Sequence, residues 1–179
     1  MSFSEKFVSR KEIYRGRIIG VHADDILLPD GKPGFREVVT HPGGVCMAAL
    51  TGTRELLFVR QFRYPYGELV TELPAGKLEP GEDPFEAGKR ELLEETGATA
   101  AQFESLGVIY PSPGYCNEVI HLYLARKLTF SKLDLDEDEF LEPIRIPLDK
   151  AAEMVMSGEL RDAKTVIGIL KVKEWLRGL

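Results

Sequence analysis

The sequence predicts an α/β protein: strands first, one helix among them, more strands, then two closing helices. Three observations carry this. Short β-branched and aliphatic runs, bounded by Pro, Gly and Asp, fill most of the chain up to Leu73. The stretch from Asp83 to Glu95 carries both a helix start and a helix stop. Apolar residues at helical spacing return after Asp149. Hydrophobic residues make up 44% of 179, enough for a real core and too many for disorder.

In order, Ile13 to Val21 and Asp25 to Leu28 read as strands, with Pro29-Asp30-Gly31 as a turn. Arg36 to His41 is a further short strand before Pro42-Gly43-Gly44. Val45 to Leu50 and Glu55 to Tyr64 read as a hairpin around Thr51-Gly52-Thr53. Glu68 to Leu73 continues the sheet. The first helix spans Asp83 to Glu95, with Asp83 as N-cap, Pro84 at the first helical position and Gly97 just past the end. Strands follow at Ala101 to Ile109, Glu118 to Ala125 and Glu142 to Ile146. The closing helices are Asp149 to Ser157 and Asp162 to Leu176, and Val172, Trp175 and Leu176 form a core or interface stripe.

Composition excludes several classes. The longest apolar run, Val45 to Leu50, is far short of a membrane span. The first residues hold no apolar signal segment, which makes the cytoplasm the expected compartment. Cys46 and Cys116 form no CxxC pair and imply no disulfide framework. A net charge of −6 argues against a nucleic-acid backbone as partner. It leaves open an anionic small molecule held by a metal and a few arginines.

The chemistry concentrates between Gly76 and Ala98. On a helix, Glu91, Glu94 and Glu95 share one stripe, because residues three and four apart are neighbours. They also lie in the last turns, where the macrodipole favours cations. Like charges at this spacing cost a few tenths of a kcal/mol, about 0.2–0.5 per pair. A hard divalent cation relieves both conflicts, since Mg²⁺ seeks oxygen ligands. Glu86 is expected on a solvated face, paired with Arg90 four residues on, and Arg90 can also pair with Glu94.

The spacing is long and specific: Gly76, five residues, Glu82, seven residues, Arg90-Glu91, apolar Leu92, then Glu94-Glu95, Gly97 and Ala98. It matches the Nudix box, Gly-x5-Glu-x7-Arg-Glu-U-x-Glu-Glu-x-Gly-U, with a smaller residue than usual, Ala98, at the last apolar position. The chain thus resembles Nudix hydrolases. That resemblance implies an α/β/α sandwich around a mixed sheet and Mg²⁺-dependent hydrolysis of nucleoside diphosphate compounds, with Mn²⁺ as a substitute metal. It implies metal ligands at Glu91 and Glu95, with Glu94 as a further ligand or water holder and the carbonyl of Ala75 beside them. Glu82 and Arg90 match the pair that orients the helix.

The flanks narrow the substrate. Val59-Arg60-Gln61-Phe62-Arg63-Tyr64-Pro65 and Glu72-Leu73-Pro74-Ala75 precede the box, and Tyr110-Pro111-Ser112-Pro113-Gly114 follows it. Together with the stranded N-terminus they resemble the ADP-ribose pyrophosphatase group. This implies cleavage of ADP-ribose to AMP and ribose 5-phosphate, by a homodimer that exchanges N-terminal strands. Residues 1–43 would be the dimerising extension and 44–179 the hydrolase domain. Arg63 first and Arg60 second are the phosphate contacts, against a surface ion-pair role. Glu72 would hold a ribose hydroxyl or sit as an edge-strand carboxylate. Pro113-Gly114 would close over the terminal ribose or form an ordinary turn. The general base is expected in the acidic stretch Asp134 to Glu139, with Glu139 ahead of Glu137, unless box glutamates activate the water or the stretch is simply solvated. His41 and His121 are weaker choices, since a lone strand His is usually structural. The rivals are another nucleoside diphosphate sugar such as GDP-mannose, a dinucleotide, or a sensor that binds without cutting.

Overall fold

A computed structural model describes residues 3–131 and 140–178. The chain divides into two compact units, one of residues 1–43 with 110–119, the other of residues 44–109 with 120–179.

The first unit is an antiparallel three-stranded sheet of β1 (Lys6–Arg15), β2 (Gly20–Leu27) and β3 (Pro33–Thr40), in that order. The expected strand at 13–21 is instead divided by a tight turn in which the Gly16 N–H donates to the Ile19 carbonyl at 2.9 Å. A Cβ at Gly16 would stand 2.8 Å from the Tyr14 ring, so a larger residue there would require that exposed ring to move. β1 therefore begins earlier, in a charged segment without alternation, and every residue of it is exposed. Residues 110–119 join this sheet through Cys116, which bridges Val39 in parallel fashion.

The second unit carries the larger sheet, ordered β10 (Leu141–Pro147), β5 (Glu55–Arg63), β4 (Gly44–Leu50), β9 (Ile120–Phe130) and β8 (Ala98–Ile109). Two short strands branch from it: β6 (Glu68–Glu72) pairs β5, and β7 (Ala75–Lys77) pairs β4. β4 runs parallel to β9 and antiparallel to its other partners, so the sheet is mixed. Every residue of β4 is buried, as expected of a strand covered on both faces. The period of two then sorts its side chains. Val45, Met47 and Ala49 pack with Ala87 and Leu92 of helix α1 (Pro84–Thr96). Cys46, Ala48 and Leu50 pack with Ala151 of α2 (Leu148–Met156) and with Ile169 and Val172 of α3 (Ala163–Arg177). This is a three-layer α/β/α sandwich with a core on each side of the sheet.

Two strand expectations change. The β4–β5 hairpin ladder is only a single pair, Leu50 with Leu56, because β4 spends its edges on β7 and β9. The strand expected from Glu68 to Leu73 ends at Glu72, just ahead of Pro74, which lacks the N–H a ladder needs. The Pro74 carbonyl still accepts from the Met47 N–H at 2.9 Å, and β7 resumes one residue later.

Candidate active site

The site is built where β7 turns into α1. Asp83 caps the helix, accepting from the N–H groups of Phe85 and Glu86 at 3.0 and 3.2 Å. Gly97 ends it in the left-handed region at φ 65°, its N–H reaching the Leu93 carbonyl at 2.8 Å. β7 fixes the strand side, with Gly76 opposite Val45 and Ala75 opposite Cys46.

Between these two anchors, α1 presses its acidic face against the strand. Glu95 accepts the Ala75 N–H through Oε2 at 2.8 Å. Glu91 lies so close to Gly76 that a Cβ there would stand 1.8 Å from the Glu91 Cδ. Both glutamates are buried, at 7% and 4% exposure, whereas the Glu94 side chain is one-third exposed. Two carboxylates buried on one face of a short helix need a cation nearby.

Arg90 supplies one. Its Nε and Nη2 clasp both oxygens of Glu82 at 2.9 and 3.0 Å, and its Nη1 reaches Glu91 at 2.9 Å and Glu94 at 2.8 Å. The hydrogen bonds to Glu82 lead the influences that raise the Arg90 pKa, and the same pair holds the Glu82 carboxyl below its ordinary value. With its fork committed to Glu82, Arg90 is not the partner of Glu86. Glu86 pairs with Lys89 at 2.9 Å instead, which corrects that expectation.

Among the described residues, no three His, Cys, Asp or Glu side chains are gathered closely enough to hold a metal as they stand. The donor set nonetheless suits a hard cation. Three carboxylates and the Ala75 carbonyl are all oxygen donors, and the missing Cβ at Gly76 lets the Glu91 carboxylate lie against the strand.

The remaining expected residues fall in different places. Arg63 on β5 grips Glu72 on β6 in a fork, Nε to Oε1 at 2.6 Å and Nη2 to Oε2 at 2.9 Å. Glu72 is almost wholly buried and also accepts from Lys164 of α3. Burial alone would push the Glu72 carboxyl up, and the pairs with Arg63 and Lys164 outweigh it, so its pKa is lowered. Arg60 lies exposed and pairs with Glu142 across the β5–β10 ladder at 3.2 Å, the surface ion-pair alternative. Pro113 and Gly114 belong to the unit of the three-stranded sheet, in a turn closed by the Cys116 N–H to the Ser112 carbonyl at 2.9 Å. Glu137 and Glu139 lie outside the described residues. His41 is engaged locally: its Nδ1 accepts the Gly43 N–H at 3.1 Å and stands 3.5 Å from Glu118. His121 sits in β9 between Val45 of β4 and Val108 of β8.

Sequence reasoning passed over Lys164. A signal was present, since the first turn of a helix favours acidic side chains. A lysine two residues after the Asp162 cap implies a partner beyond its own helix.

Comparison with known proteins adds a consistent picture. The NUDIX domain family matches residues 40–166, and the nucleoside diphosphate sugar hydrolase N-terminal domain matches residues 5–39. An ADP-ribose pyrophosphatase of Bacillus subtilis (strain 168) is 42% identical, over 98% of this chain and 97% of its own length. A methanol dehydrogenase activator of Bacillus methanolicus is 41% identical over the same shares. GDP-mannose pyrophosphatases of Salmonella are 32% identical over 74% of both chains. A crystal structure of an ADP compounds hydrolase aligns with a TM-score of 0.87, over 99% of this chain and 97% of that one, at 24% identity, a likeness of fold.

Proposed function

The chain belongs to the Nudix domain family, and from that premise we propose that it hydrolyses the pyrophosphate bond of ADP-ribose, adding water to yield AMP and ribose 5-phosphate. One observation carries the chemistry: Glu91, Glu94 and Glu95 share one helix face, with Glu91 packed on Gly76 and Glu95 on the Ala75 N–H. A binding-only sensor has no need of three carboxylates on one face.

Glu91, Glu95, Glu94 and the Ala75 carbonyl would hold Mg²⁺, or Mn²⁺ in its place. Bound there, such an ion neutralises pyrophosphate charge and lowers the pKa of water. The protein's own residues do the rest. Arg90 and Glu82 keep the acidic face oriented. Arg63 contacts the phosphates, since a guanidinium fork matches phosphate geometry. Glu139, ahead of Glu137, takes the proton of the attacking water; a base must come within about 3 Å of it, directly or through one water.

The protein works as a homodimer with exchanged N-terminal strands, a reading supported by the full exposure of β1 and its apolar Phe7, Val8, Ile13 and Tyr14. Among the described residues no helix is long and apolar enough to cross a membrane, and both cysteines are free thiols. The thiols suit the reducing cytoplasm.

The test is product analysis by anion exchange over a panel of nucleoside diphosphate sugars at fixed Mg²⁺. AMP and ribose 5-phosphate as the fastest products support the proposal. Preference for GDP-mannose, the second reading favoured by the Salmonella relatives, would replace it. Binding without cleavage would make the protein a sensor. Glu139→Gln and Glu137→Gln variants, both at wild-type kcat, would remove that base from the scheme.

A further inference from the structure

The first turns of α3 do more than begin a helix. Asp162 caps it by accepting the Thr165 N–H at 3.0 Å. The Thr165 hydroxyl, wholly buried, accepts the Leu73 N–H at 2.8 Å. One turn on, a Cβ at Gly168 would stand 2.6 Å from Leu73 Cδ1, so the helix lies tight on that strand exit. Lys164 is held between these contacts. It bridges Asp162 at 3.0 Å and Glu72, and only 12% of its side chain is exposed. The segment it grips leads within four residues to Ala75 and Gly76.

The arrangement is a relay of charge. Glu72 spends both oxygens on Arg63, with Lys164 on Oε2 as well. Arg63 spends Nε and Nη2 on Glu72, while its Nη1 makes no hydrogen bond among the described residues and 39% of its side chain is exposed. A guanidinium gripped along one edge loses the freedom to swing. Burial would pull the Lys164 ammonium down in pKa, but Asp162 and Glu72 raise it, so the relay stays charged.

We infer that Lys164 is a positioning residue for the substrate's phosphates: it holds Glu72, Glu72 holds Arg63, and Arg63 keeps Nη1 for a phosphate oxygen. This rests on the phosphate role proposed for Arg63. It gives Glu72 the task of steering an arginine rather than binding a ribose.

A double-mutant cycle on kcat/KM for ADP-ribose separates this from simple neutralisation of a buried carboxylate. Lys164→Met should lower kcat/KM at least tenfold in the wild-type background and by less than twofold in an Arg63→Ala protein. Lys164→Gln, which keeps a donor toward Glu72, should recover part of the loss. Lys164→Met strands a buried carboxylate, so the paired Lys164→Met/Glu72→Gln protein is measured beside it. The pair should fold, by circular dichroism melts, and still lose at least tenfold. Equal losses in both Arg63 backgrounds, a paired variant at wild-type kcat/KM, or failure of both variants to fold would overturn the inference. If the wild type leaves ADP-ribose intact, the functional reading has failed instead. The same cycle then runs on whichever nucleoside diphosphate compound the panel shows to be cut.

Discussion

Gly76 lies against the Glu91 carboxylate, and that sets a sharp expectation. A methyl at residue 76 would stand 1.8 Å from the Glu91 Cδ, so Gly76→Ala must drive the carboxylate away. A shift of about 1 Å in a catalytic group costs on the order of 100-fold in rate. Gly76→Ala should therefore lose about that much kcat, with an unchanged circular dichroism spectrum. Near-normal turnover would remove Glu91 from the metal-binding role. Glu91→Gln and Glu95→Gln should each lose several orders of magnitude of activity. They should keep the metal-free melting temperature, because the amide oxygen can still accept from Arg90 or the Ala75 N–H. Glu72 gives a pH expectation. Its folded pKa lies below its ordinary 4.5, so its stabilisation is complete above that value and disappears as pH falls through the folded pKa. The melting temperature should fall below pH 4.5, and Glu72→Gln should flatten that part of the slope. At this scale the box glutamates were legible because their spacing alone puts them on one face. Lys164 was not, because its partner Glu72 lies 92 residues away and on a strand.

The elements divide the same way. The ends of α1 were legible because Asp83, Pro84 and Gly97 act within a few residues of themselves, and the structure places the cap and the left-handed stop at those residues. Replacing Asp83 by Ala should cost about 1 kcal/mol of stability by urea denaturation. Gly97→Ala, at φ 65°, should cost about 1–2 kcal/mol. Neither change should alter KM, and a large rise would mean that α1 is held by its ends rather than by its packed face. The strand partners were less legible. Val45 to Leu50 was plain as a strand, but nothing near it shows that its long partner is β9 rather than β5. β7 has three residues, too few for a pattern, and exists because Gly44 to Cys46 offers it an edge. The turn at Gly16 was hidden by the β-branched Ile18 and Ile19 that follow. Pairing choices of this kind depend on distant sequence, whereas caps and stripes do not.

At the scale of the molecule, β1 is the clearest unfinished surface. It is an edge strand exposed along its whole length, and a long edge with unpaired backbone groups invites pairing with another chain. Light scattering at micromolar concentration should give twice the 20.0 kDa chain mass, and removal of residues 1–43 should abolish the dimer and lower solubility. A monomeric full-length protein would contradict strand exchange. The parallel pairing of β4 with β9 also constrains how the protein can be made. Ile120, where β9 opens, leaves the ribosome 70 residues after Leu50, where β4 ends. At roughly 5–20 residues per second, that interval is about 4–14 s. Throughout it, the most apolar strand of the chain waits without its longest neighbour. Assembly of the central sheet is therefore gated by elongation: a nascent chain carrying a complete Nudix box still has no finished platform on which to hold it.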